Sequence, residues 1–122
     1  MHYSISTPDS LLEIHMEDGI TKAAVLSFWK EIERHPKYQD VVGILLIFGR
    51  QMQWHTSTKE IQELARESAR LREVPWAIVA HDPLSFGMTR MFALQAPDEG
   101  RFSVFRNEAA AREWLKTFLS PR

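Results

Sequence analysis

The sequence predicts an α/β domain built on a largely parallel sheet, and three observations carry that expectation. Strand-like and helix-like runs alternate from residue 11 to the end, with about 25 to 30 residues from one strand to the next, as right-handed β-α-β crossovers require. The run "VVGILLIF" (41–48) is apolar on both faces and rich in branched side chains, which suits a central strand covered on both sides. The chain also opens with two short strand-like runs joined by the turn "TPDS", a hairpin that makes the first strand antiparallel. The predicted order is β-β-α-β-α-β-α-β-α, a mostly parallel five-stranded sheet in one domain spanning 1–122.

Each element has its own warrant. In "LLEIHME" (11–17), Leu12, Ile14 and Met16 alternate with Glu13, His15 and Glu17, the period of a half-solvated strand. From Thr21 the period becomes helical: Val25, Phe28, Trp29 and Ile32 fall on one stripe, and His35-Pro36 ends it. Ser57 followed by Glu60 forms a capping box for a second helix that buries Ile61, Leu64, Ala65, Ser68 and Leu71. "PWAIVA" (75–80) is the next strand, with its proline at the edge. Asp82-Pro83 opens a third helix, with Leu84, Met88, Met91 and Gln95 along its buried face. Gly87 lies inside that helix, where glycine is costly, so it is expected to mark close packing. "RFSVF" (101–105) is the last strand. Asn107 caps a final helix that buries Ala111, Trp114, Leu115 and Phe118.

Composition excludes several function classes. At 122 residues with 44% hydrophobic and 25% charged residues, the chain has ordinary globular make-up. A formal charge of −1 supplies no field for nucleic acid. The longest apolar run, eight residues at 41–48, falls well short of the roughly 20 needed for a membrane span. The polar opening "MHYSISTPDS" has no secretory signal pattern. Absence of cysteine removes disulfides, thiol nucleophiles and cysteine metal sites. A cytoplasmic location is the default expectation. The five histidines, 2, 15, 35, 55 and 81, are scattered without metal-binding spacing, so no metal and no cofactor are expected. Phosphate loops and nucleophile elbows are missing too, and no catalytic set can be assembled.

One pattern carries a resemblance. Ala80, Asp82, Leu84, Phe86, Gly87, Arg90, Met91 and Phe92 within "AIVAHDPLSFGMTRMF", together with the closing "VFRNEAAAREWL", resemble the bacterial STAS-like domains, relatives of the sporulation anti-anti-sigma factor. The small single-domain members are the nearest in kind, and the likeness covers essentially the whole chain. It implies a non-enzymatic regulatory or protein-interaction module that binds a protein partner or itself. The alternative is a binder of a small apolar or anionic, lipid-like ligand, since some relatives of this fold carry lipids. The regulatory members bear a phosphorylatable serine in an Asp-Ser-Ser-Gly-like turn, and "GRQMQWHTSTKE" here lacks it. Ser57 is the nearest phosphoacceptor candidate, although an N-cap role explains it more simply.

Candidate binding residues come from topology. In parallel sheets, ligands bind beyond the carboxyl ends of strands, which selects the loops after the third and fourth strands. Arg50, Trp54, His55 and His81 lie there, and Arg90 lies two turns into the following helix. The five are expected to gather on one side, with two helix N-termini favouring an anion. An apolar cavity lined by Met88, Met91, Phe92 and Trp114 would favour the ligand binder. A flat apolar patch would favour the partner module.

Overall fold

The computed structural model describes residues 1–98 and 100–119. Strand β1 (His2–Ser6) turns through Asp9 and Ser10, both at positive φ, into β2 (Leu11–Glu17). Then come β3 (Gly19–Ile20), α1 (Lys22–Glu33), β4 (Gly43–Phe48), β5 (Gln53–Trp54) and α2 (Thr58–Glu67). The chain continues with β6 (Trp76–Val79), α3 (Pro83–Gln95), β7 (Phe102–Phe105) and α4 (Glu108–Leu119). The main sheet runs β1-β2-β4-β6-β7. Strand β1 is antiparallel to β2, and the other neighbours pair in parallel. This is a single α/β domain with a mostly parallel five-stranded sheet, as the sequence predicts.

Strand order in space follows strand order in sequence, so three successive right-handed crossovers place α1, α2 and α3 on one face. Helix α4 follows the last strand and returns over the other. Alternation along each strand serves both layers. Leu12, Ile14, Met16, Ile44, Leu46, Phe48, Trp76 and Ile78 pack under α1–α3 with Phe28, Trp29, Ile32 and Leu64. Leu11, Leu45, Ile47, Ala77 and Val79 pack against Ala111 and Leu115 of α4. Arg112 pins α4 to β2, donating from Nη2 to Glu13 Oε1 at 2.9 Å. Burial alone would raise the Glu13 carboxyl, but hydrogen bonds from His15 and Arg112 more than offset it and hold it below the usual range.

Local chemistry sets the helix ends. Thr21 Oγ1 accepts from the Ala24 amide at 3.1 Å. Ser57 and Glu60 form the expected capping box, at 3.1 and 2.9 Å. Asp82 Oδ1 accepts from the Ser85 amide at 2.8 Å, with Pro83 at the first helical position.

Four expectations are corrected. Strand β4 begins at Gly43, two residues later than expected, and Val42 just before it is exposed. The buried positions of α3 are Ser85 and Thr89, while Leu84 faces solvent. That stripe is rotated because its small polar side chains have partners: Thr89 Oγ1 donates to the Ser85 carbonyl at 2.6 Å, and Ser85 Oγ accepts from Trp54 Nε1 at 2.8 Å. An added Cβ at Gly87 would meet nothing within 4 Å, so this glycine marks no close approach. Phe118 is 50% exposed, in the last turn of α4, where it meets Trp114 edge-on at 5.0 Å. The pair β3 and β5 was not foreseen. It forms a two-stranded parallel ladder, Gly19 to Gln53 and Ile20 to Trp54, too short to leave a periodic signal.

Candidate functional site

The five candidate residues divide among separate surfaces. Arg50 and His81, both exposed, line an open cleft of about 540 Å³ at the carboxyl ends of β4 and β6. Glu17 and Asp18 line the same cleft. Two carboxylates against one guanidinium do not make the anion trap that the helix N-termini suggested. Trp54 turns inward: its Nε1 donates to Ser85 Oγ at 2.8 Å, and its ring meets Phe48 edge-on at 5.5 Å. His55 lies over Gly19, where an added Cβ would come within 3.2 Å of its ring. Ser57 is engaged as a cap, and the Glu60 carboxylate already accepts from its amide. A phosphate on Ser57 would meet that carboxylate at close range.

Trp54 opens onto an apolar cavity of about 70 Å³ between the sheet and α1–α3. Phe28, Trp29, Phe48, Trp76, Phe92 and Phe102 share its lining with Met88. Met91 and Trp114, expected there, are not part of it; Trp114 packs on Phe105 across the sheet at 5.8 Å. The Trp76 side chain is 2% exposed, and its Nε1 donor is buried with no protein acceptor.

Arg90 belongs to a third surface, a groove of about 640 Å³ along the outer side of β7. Its walls are Ala93 and Leu94 of α3 and Trp114 of α4, and its floor is Phe102 to Phe105. Leu94 is 75% exposed, and Phe118 lies exposed on the α4 side. Strand β7 ends the sheet, so among the described residues no strand pairs with its outer side. The carbonyls of Arg101 and Phe105 accept from the amides of Trp76 and Ala80. By alternation, Ser103 also faces β6, while the amides and carbonyls of Phe102 and Val104 face outward. Arg106 follows directly, its guanidinium 4.3 Å from the centre of the Phe86 ring. Neither Arg90 nor Arg106 has a carboxylate partner among the described residues.

Sequence reasoning passed over Arg101, which seats this strand. The residue is buried and donates to the carbonyls of Val74, Ser68, Leu71 and Arg72 and to Asp98. It thereby ties the start of β7 to the α2–β6 connection. A lone arginine beside a strand carries no local sign of such a role.

Among the described residues, no group of three or more His, Asp or Glu side chains is placed to hold a metal ion, and no helix is long and apolar enough to cross a membrane. Compared with family models, curated proteins and solved structures, the chain has no match.

Proposed function

We propose that this chain is a non-enzymatic interaction module of the STAS-like type, regulatory in role and acting in the bacterial cytoplasm, and that it binds a protein partner along β7. The observation that carries this reading is the groove itself: an apolar edge strand whose outer side has no strand partner among the described residues, flanked by exposed Leu94 and Phe118. Isolated apolar side chains on a surface are ordinary, but a contiguous patch beside open backbone groups is what partners use. The groups with displaced titration fit structural duties. Asp82 caps α3 and Glu13 anchors α4, and Ser85 is fully buried, out of reach as a nucleophile.

A photo-crosslinking residue at position 94, in the cells the protein comes from, tests the reading. It should give a discrete crosslinked partner that the same residue at position 4, on the opposite sheet edge, does not give. Identical products from both positions would refute it.

A second reading, a small-ligand binder, is favoured by the aromatic cavity and the unpartnered Trp76 donor. Volume limits it: about 70 Å³ is roughly half of the ~150 Å³ that holds benzene in an apolar core. A lipid chain does not fit there. Native mass spectrometry showing a small molecule with one acceptor oxygen would raise this reading above the first.

A further inference from the structure

The geometry points to the class of partner: we infer that β7 accepts an extended segment of another protein as a sixth strand, acidic at alternate positions and apolar between them. This rests on the partner-binding reading and goes beyond it in naming the chemistry. An extended chain matches the outward amides and carbonyls of Phe102 and Val104, because those groups are spaced as a ladder. Side chains of an added strand alternate between the two faces of the sheet.

The two faces of the groove differ. Phe102 and Val104 belong to the face under α3. Arg90, from α3, and Arg106, stacked on Phe86 of α3, stand on that side. Phe105 and Trp114 belong to the opposite face, where Phe118 meets Trp114 edge-on at 5.0 Å. Residues of the added strand that point toward α3 therefore meet two guanidinium groups that have no carboxylate partner among the described residues, and those pointing toward α4 meet aromatic rings. Acidic and apolar side chains in alternation answer both.

A second copy of this chain answers them poorly. Its β7, "FSVF", carries no carboxylate, so self-pairing sets no acid against Arg90 or Arg106, and each copy brings its own two guanidinium groups to the seam. The cleft near Arg50 is also a weaker place for such a segment, since Glu17 and Asp18 would repel it.

Binding of short capped peptides to the intact protein, followed by titration calorimetry, tests this. A peptide of alternating valine and glutamate should bind at least about tenfold more tightly than one of alternating valine and lysine. Proline at every second position should abolish binding for one of the two sets, the valines or the glutamates, namely the set whose amides face β7. In Arg90→Glu, an exposed position, the preference should shift toward the lysine peptide while the melting temperature stays unchanged. Equal binding of both charged peptides, or no binding of either, would overturn the inference. So would a concentration-dependent dimer in sedimentation that Val104→Pro abolishes, since the occupant would then be a second copy. Crosslinks from position 94 combined with peptide failure would leave partner binding standing and remove only the acidic strand. Failure of both would remove both.

Discussion

The two edges of the sheet meet solvent in opposite ways. Strand β1 shows solvent a polar row, His2, Ser4 and Ser6, all exposed. His2 lies 3.3 Å from Asp18. On its other face Tyr3 packs edge-on against Phe28 at 4.8 Å and donates from its hydroxyl to Glu31 of α1. Burial and that carboxylate push the Tyr3 hydroxyl up to about 12. Polar, charged edges discourage further pairing. Strand β7 has an apolar floor, two aromatic neighbours from α4 and two guanidinium groups without acids among the described residues. The difference teaches that edge exposure alone says little. What the flanking helices place beside the open backbone decides whether an edge is closed or receptive.

The largest expected effect is at the anchor of the receptive edge. Arg101→Ala removes several charge-assisted hydrogen bonds at once and should lower stability by about 3 to 5 kcal/mol, read from denaturant unfolding. A loss under 1 kcal/mol would mean that β7 is not held by this clamp. Proline scanning sharpens the edge assignment. Ser103→Pro breaks an inward ladder bond and should cost about 3 kcal/mol, whereas Val104→Pro, whose amide faces out, should cost clearly less. The reverse order would show that the register is wrong.

Helix α3 forms the wall that carries Arg90, and its cap comes next in size. Asp82→Ala should lower stability by about 1 kcal/mol. Burial alone would raise the Asp82 carboxyl, but hydrogen bonds from the amide and hydroxyl of Ser85 outweigh it and hold it below the usual 3.8. Its contribution is therefore present above that unfolded value and lost as pH falls further. The stability gap between wild type and Asp82→Ala should close in acid, and a constant gap would contradict the cap. Smallest is Gly87→Ala, which fills open space on the same helix and should stabilise by about 0.5 to 1 kcal/mol, seen as a raised melting temperature without loss of peptide binding.

Much of this fold was legible because its signals are local. The apolar run of β4, the alternation in β2 and the caps at Ser57 and Asp82 each lie within a few residues of what they control. What was hidden depends on distant partners. Trp54 is drawn inward by Ser85, 31 positions away, and no feature of "QMQWHTS" announces that. The buried face of α3 differs from the apolar one because it carries Ser85 and Thr89, whose hydroxyls find partners in Trp54 and in the Ser85 carbonyl, so hydrophobicity points to the wrong side. Arg90 was picked out as a residue with no local reason to be arginine. Its groove could not be, since the groove exists only once β7 ends the sheet and α4 crosses behind it.

Hydrogen exchange at single amides of β7, with and without the valine–glutamate peptide, tests the claim of a receptive edge most directly. In the free protein Phe102 and Val104 should exchange fast while Ser103 and Phe105, bonded to β6, exchange slowly. Peptide should slow Phe102 and Val104 selectively and leave the amides of β1 unchanged. Equal protection of all four β7 amides in the free protein, or peptide-induced protection at β1 instead, would contradict the account.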